Sequence, residues 1–139
     1  MKISTKGRYG VQIMTDIAAH CSKPVKISEI CARQGITVKY AEQLTAILIK
    51  GNLLRSVRGA SGGYELTKPA SEYTMDEIIN VLEGNFLPVD CLNSPCNKKE
   101  NCGMFRFWQG LYECYNSYLN SVTLQDLIEE GSSADFYSI

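Results

Sequence analysis

The stretch SEICARQGITVKYAEQLTAILIKGNLLRSVRGASGGYELTK, residues 28–68, decides the fold. Ile27, Ile30 and Cys31 share one face of a short helix, and Gly35 is placed to end it. A further helix starts at or just after Thr37 and runs to about Lys50, with Tyr40, Leu44, Ile47 and Leu48 turned inward. Gly51 is expected as its left-handed cap. Two helices about the tight turn GIT (35–37) form a helix-turn-helix pattern. Leu53–Val57 reads as a strand, RGASGG (58–63) as a glycine-rich turn and Tyr64–Leu66 as the returning strand. Helix, helix and glycine-tipped hairpin make a winged helix, in which the later helix of the pair enters the major groove.

Upstream, residues 8–19 read as a helix, with Tyr9, Ile13, Ile17 and Ala18 at helical spacing, and Pro24 marks a turn. Downstream, Lys68-Pro69 ends the wing. Thr74 and Glu77 form a capping box for a helix to about Glu83 that buries Ile78, Ile79 and Leu82 and stops at Gly84. Phe86, Leu87 and Val89 suit an extended linker. Over residues 104–122, Met104, Trp108, Leu111, Tyr115, Tyr118 and Val122 follow a heptad step, widened by Phe105, Phe107, Tyr112 and Leu119. That face exceeds what one small domain buries. It predicts a homodimer whose two-fold axis matches a pseudo-palindromic operator in double-stranded DNA. Thr123 and Asp126 form another capping box for a short helix through Glu130, and the tail GSSADFYSI is expected to fray. The fold class is mostly α with a small β-hairpin wing. The divisions are a winged helix-turn-helix region (1–84), a cysteine loop (85–103), a dimerisation helix (104–122), and a short helix and tail (123–139).

At 139 residues the chain is one domain's worth. Its 14 Lys+Arg and 15 Asp+Glu leave a net charge of -1. That total hides a division: residues 1–68 hold 11 Lys+Arg against 4 Asp+Glu, a balance of +7, and residues 69–139 hold 3 against 11, a balance of -8. The basic part suits a phosphate backbone. Hydrophobic content of 45% with 21% charged residues excludes a wholly disordered chain. No apolar run is long enough to span a membrane, and MKISTKGRYG lacks the apolar stretch of a signal peptide. The expected location is therefore the cytoplasm, where thiols stay reduced and six cysteines are a poor disulfide scaffold.

Candidate phosphate contacts are Lys2, Ser4, Lys6, Arg8, Lys39 and Arg58, together with Ser28 at the start of its helix. The wing residues Gly59, Ser61 and Gly62 allow close backbone approach and offer N–H donors. Glu42 would oppose phosphates, so its presence needs a reason. It can accept from a cytosine amino group, while Gln43 can address adenine. Cys31 and Cys114 read as packed residues, and His20 and Cys21 end the first helix. No acid–base pair, activated nucleophile or phosphate-binding glycine motif points to an enzyme.

Cys91, Cys96 and Cys102 stand apart in the polar loop DCLNSPCNKKENCG (90–103), spaced C-x4-C-x5-C. Three thiols so close in sequence can converge on a soft metal centre. An iron–sulfur cluster, zinc and a thiol switch are the alternatives, since the spacing fits structural zinc poorly and supplies no fourth local ligand. Lys98 and Lys99 would offset the charge of a thiolate-ligated centre.

MKISTKGRYG (1–10), SEICARQGITVKYAEQL (28–44), SVRGASGGYEL (56–66), VLEG (81–84) and the three loop cysteines resemble the IscR/NsrR/CymR-type winged-helix transcriptional regulators, from Met1 to about Asp126. The resemblance implies a dimeric, DNA-binding, mostly repressing regulator. It makes Cys91, Cys96 and Cys102 the thiolates of a [2Fe-2S] or [4Fe-4S] cluster, Glu42 a residue that tunes operator choice and Arg58 the wing arginine. It further implies control of iron–sulfur biogenesis genes, with nitric-oxide, redox or cysteine sensing as the alternative; outside the family, a zinc-binding interaction module competes. Two departures stand out. Phe105 occupies the place of the usual fourth-ligand histidine, and Arg8 the place of an acidic ligand used by some members. The fourth ligand is thereby left open between a small molecule, a nearby oxygen such as that of Asp90, and a residue of the other subunit.

Overall fold

The structure, a computed structural model, describes residues 2–84 and 86–137, with 132–137 as backbone. Its elements are α1 (Thr5–Ala19), α2 (Ile27–Gln34), α3 (Val38–Lys50), β1 (Leu54–Val57), β2 (Gly63–Leu66), α4 (Met75–Glu83), α5 (Gly103–Ser121) and α6 (Leu124–Tyr137). Single 3-10 turns lie at Ala70–Glu72, Asp90–Leu92 and Lys99–Asn101. The mostly helical architecture with a hairpin wing is as the sequence predicts.

α1 begins ahead of residue 8, because Ser4 caps it by accepting the Gly7 N–H at 3.1 Å. Gly7 and Gly10 look like poor helix formers in the sequence. In the fold they are points of close approach. A Cβ on Gly10 would meet the Leu82 methyl Cδ1 at 2.6 Å, and one on Gly7 would run into the Glu83 carboxylate. Gly51 repeats the device: a Cβ there would lie 2.6 Å from Val81 Cγ1. The expectation that Gly51 is a left-handed cap is therefore corrected, since its φ is -82°. Asn52, at φ 62°, takes the left-handed position. The Asn52 N–H reaches the Ile49 carbonyl and the Leu53 N–H the Leu48 carbonyl, both at 2.9 Å, closing a Schellman motif.

The wing is an antiparallel pair in the register Leu54↔Leu66, Arg55↔Glu65, Ser56↔Tyr64 and Val57↔Gly63. Its outer rung continues into the segment before α2, where Val25 and Tyr64 exchange two backbone hydrogen bonds of 2.8 Å. Ile13, Met14 and Ile17 of α1, Ile30 of α2, Leu44 and Leu48 of α3, Leu53 and Leu54 at the wing base, Ile78 and Leu82 of α4, and Leu124 of α6 form one buried core.

Two polar groups inside that core have full sets of partners. The Asp16 side chain on α1 is 1% exposed and accepts from Arg33 Nε (2.9 Å), Arg33 Nη2 (2.8 Å) and Gln34 Nε2 (2.9 Å), tying α1 to the end of α2. These hydrogen bonds raise the Arg33 guanidinium above its ordinary pKa. Tyr73 is fully buried; its hydroxyl donates to the Leu53 carbonyl at 2.8 Å and accepts from the Thr67 N–H at 2.8 Å.

α6 starts where residues 73–75 and 122–124 pair side by side, through Met75 N–H to Val122 O (2.9 Å) and Leu124 N–H to Tyr73 O (3.0 Å). The Thr123–Asp126 capping box is present. The helix continues to Tyr137, past Glu130 and through most of the tail expected to fray. Gly131 alone does not stop it, and no proline follows; Ser138 and Ile139 lie outside the described residues.

Helix propensity predicts that Gly10→Ala stabilises α1 by about 1 kcal/mol. The close approach of Leu82 predicts the opposite. We expect Gly10→Ala to lower unfolding free energy by about 1–2 kcal/mol, read as a lower urea midpoint with an unchanged slope.

Candidate DNA interface and thiol loop

α3 divides cleanly into two faces. Ala41, Leu44, Thr45 and Leu48 are buried, while Lys39, Glu42, Gln43 and Ala46 lie exposed on the opposite side, three and four positions apart. Thr37 caps the helix by accepting the Tyr40 N–H at 3.2 Å. Tyr40 is not on the reading face; it packs edge-on against Tyr9 of α1, with ring centroids 5.9 Å apart. α2, carrying exposed Ser28 in its first turn, packs against α3.

At the wing tip Arg58, Gly59 and Ser61 are exposed. Gly59 adopts φ 106° with open space where a Cβ would point, so the turn there demands glycine. Gly62 differs from the other tip residues. It is buried, its N–H donates to the Gly59 carbonyl at 3.0 Å, and a Cβ would collide with the Val57 carbonyl. Gly62 thus closes the turn internally instead of offering a donor to phosphate. Lys23 and Lys26, absent from the candidates that the sequence suggests, flank the Val25–Tyr64 rung and are exposed beside Ser61. The rung is long-range, so nothing in local spacing signals it.

Lys2, Lys6 and Arg8 are exposed at the start of α1, with the Arg8 guanidinium 5.3 Å from the Tyr9 ring centroid. Ser4 stands among them in sequence but not in role. Its N–H and Oγ–H both donate to Glu83 Oε1, at 3.0 and 2.6 Å, while its Oγ caps α1. With these bonds formed, Ser4 has no donor left for a phosphate.

The loop after α4 carries the three thiols. Phe86 packs on the core and against Tyr115 of α5, whose hydroxyl donates to the Phe86 carbonyl at 2.7 Å. Burial, with Tyr112 and Asp76 adding to it, raises the Tyr115 phenol above its ordinary pKa and keeps it a donor. Cys91 lies in the Asp90–Leu92 turn, which packs on α5; Cys102 immediately precedes α5. Cys91 and Cys96 are exposed, Cys102 is partly so, and none is in a disulfide. As donors, three free thiols on a loop with little regular structure suit a thiophilic centre. Their arrangement is open: among the described residues no three His, Cys, Asp or Glu side chains gather closely enough to hold a metal ion. Phe105, at the fourth-ligand position of the resemblance, lies with the Lys99 ammonium 5.3 Å from its ring centroid. His20 lies at the end of α1, where its Nδ1–H donates to the Asp16 carbonyl at 2.8 Å.

α5 has no fully buried residue among its 19. The predicted seam is split by the fold. Tyr115 and Val122 turn toward the rest of the chain, whereas Met104 (57% exposed), Phe107 (59%) and Tyr118 (69%) face outward. The outward stripe runs Met104, Phe107, Leu111, Cys114, Tyr118. Cys114 is therefore exposed on it, not packed as the sequence suggests.

The model of the Rrf2 family, iron-dependent transcriptional regulators, matches residues 3–130. The chain is 37% identical over 130 residues to the HTH-type transcriptional regulator IscR of Serratia proteamaculans, covering 92% of this chain and 79% of that one. It is 37% identical over 135 residues to the protein rrf2 of Nitratidesulfovibrio vulgaris, covering 95% and 90%. Among solved structures, IscR of T. potens matches with a TM-score of 0.76 at 37% identity, covering 96% and 90%. CymR, the global cysteine regulator of B. subtilis, matches at 0.74 and 35%, covering 94% and 98%. These relatives are regulators, not enzymes, and no described helix is long and apolar enough to cross a membrane. With its winged helix, basic front and match over nearly its whole length, the chain belongs to the Rrf2 family of DNA-binding transcriptional regulators.

Proposed function

We propose that the protein is a cytoplasmic, homodimeric repressor of iron–sulfur biogenesis genes whose DNA binding responds to an iron–sulfur cluster held by Cys91, Cys96 and Cys102. The observation that carries the regulatory part is the exposed α3 face beside the wing, within the part of the chain that bears a balance of +7. Residues 1–84 would read the duplex, residues 85–103 sense and residues 104–122 pair the subunits, with the helix that begins at Leu124 packed on α1. In each subunit Lys39 would neutralise phosphate and Glu42 and Gln43 would meet base edges, while Arg58 would lie along the backbone at the wing. Lys2, Lys6, Arg8 and Ser28 would add phosphate contacts around the reading helix.

The cluster reading rests on three free thiols of one loop and on the likeness to IscR. A bound cluster would supply iron sensitive to oxidants and to nitric oxide. The chain's own contribution is mechanical. The loop is anchored at one end by Phe86 and at the other by α5, so drawing the three thiols together reorders the segment between α4 and the dimer helix. A second reading, a thiol- or cysteine-responsive repressor, is favoured by the open arrangement of the thiols, by Phe105 and by the likeness to CymR.

Three measurements test these statements. Protein purified without oxygen is expected to contain iron and inorganic sulfide, and Cys91→Ala, Cys96→Ala or Cys102→Ala to lose most of both. Sulfide-free, iron-free protein would leave the thiol-responsive reading in place of the cluster. In duplex binding, Arg58→Ala should shallow the slope of log affinity against log salt by about 1 for each phosphate that is no longer neutralised. Glu42→Ala should instead change which sequences are selected from a random pool, with little change in that slope. Tyr118→Asp places a charge on the outward stripe of α5 and should shift the sedimenting species from two chains to one.

A further inference from the structure

The geometry points to Glu83 as a positioning residue for DNA binding: its carboxylate, at the end of α4, holds the N-terminal arm so that Lys2, Lys6 and Arg8 are presented to the duplex. This rests on the DNA-contact reading of those three residues given above. Glu83 lies far from them in sequence but is bonded twice to Ser4, by the backbone N–H at 3.0 Å and the Oγ–H at 2.6 Å. The same oxygen fills the space where a side chain on Gly7 would begin. Ser4 Oγ in turn caps α1 through the Gly7 N–H. One acceptor atom thereby fixes the residue at which the arm enters the helix, with Lys2 on one side of it and Lys6 and Arg8 on the other.

The arrangement is unfavourable by charge alone. A carboxylate stands beside Lys6, which lines a groove with Glu83 and Lys50, on the part of the molecule that carries the basic excess. Simple electrostatics says that removing it would raise the attraction for DNA. Positioning says the reverse. Without the acceptor, Ser4 loses two bonds, residues 2–4 are freed to fray, and ordering them against phosphate must offset the lost conformational entropy. The two explanations predict opposite signs, which makes the role measurable.

The experiment uses the full chain and a mixed-sequence duplex of about 30 base pairs, three helical turns, titrated across a range of salt. Glu83→Ala should bind about tenfold more weakly, with a salt slope shallower by about 1 per chain as Lys2 drops out. Glu83→Gln, which keeps the accepting oxygen and removes the charge, should bind as tightly as the unaltered protein or more tightly. Glu83→Asp, which keeps the charge and withdraws the acceptor by one methylene, should resemble Glu83→Ala. Binding that follows charge, with Ala and Gln both tighter and Asp unchanged, overturns the proposal. Binding that follows reach supports it, and because Gln and Asp are close in size to Glu, the pair decides the matter even where Glu83→Ala unfolds. Absence of any salt-dependent affinity in the unaltered protein would strike the DNA-contact reading itself, an outcome separate from failure of the Glu83 role.

Discussion

Three consecutive side chains at the end of α4, Val81, Leu82 and Glu83, press into three places where a side chain is missing: Gly51, Gly10 and Gly7. The rest of the structure depends on this fit. α1 carries exposed Lys6 and Arg8, and α3 exposed Lys39, Glu42 and Gln43. The mutual angle of these two helices is set by a helix that lies behind both. Each glycine lowers intrinsic helix stability, by roughly 1 kcal/mol inside a helix. The return is a close approach that buries Leu82 to 1% exposure against α1 and leaves little freedom to slide. Interiors packed this closely shift between discrete arrangements more readily than they deform by degrees.

Polar contacts complete what the glycine notches begin. Asp16 and Arg33 fasten α2 to α1, and the Tyr73 hydroxyl gathers the ends of the wing around the start of α4. Both are cases where the cost of an unsatisfied buried group exceeds the net gain of the bond. The Leu53 carbonyl and the Asp16 carboxylate each have partners reached only in this packing, so alternative packings are penalised. Among the described residues, no buried side-chain nitrogen or oxygen lacks a hydrogen-bond partner. α1 through α4 with the wing are therefore specified as one body. α6 is stitched on by the short pairing of residues 73–75 with 122–124.

What is legible in the sequence follows a physical line. Helix periodicity, the Thr123 capping box and the glycine-tipped hairpin are local signals that appear where expected, while of the expected Thr74–Glu77 box the Thr74 cap forms and the Glu77 carboxylate goes instead to Lys68 Nζ at 2.9 Å. The residues that mislead are those whose role is set by distant neighbours. Gly7 delays the expected start of α1 because a glycine that admits another helix looks, locally, like one that ends its own. Gly51 resembles a cap for the same reason, while Asn52 beside it gives a weaker local signal. Ser4 looks like a phosphate contact until Glu83, 79 positions away, is seen to occupy it. Gly62 looks like an open donor until the turn closes on it. The reading face of α3 is recoverable because it is what remains after the buried residues are assigned. The geometry of the thiol loop is not, since spacing fixes how near cysteines can come and not whether they do.

α5 shows why that loop and the proposed subunit contact belong to one problem. An amphipathic helix with one apolar face is satisfied by one neighbour. α5 has apolar residues on two: Tyr115 and Leu119, with Val122 just past its end, face the rest of the chain, and Met104, Phe107 and Tyr118 face outward. The inner set grows denser toward the C-terminal end, where α6 begins. The N-terminal end, next to Cys102, is held chiefly through the Asp90–Leu92 turn and Phe86. A partner seated on the outward stripe would therefore press on a helix that is firmly based at one end and joined to the thiol loop at the other. In the proposed role, a reordering of Cys91, Cys96 and Cys102 would reach α5 through that less anchored end. The loop has two covalent exits, α5 and the end of α4, and the second leads directly to Glu83 and the glycine notches that set the angle of the reading helices.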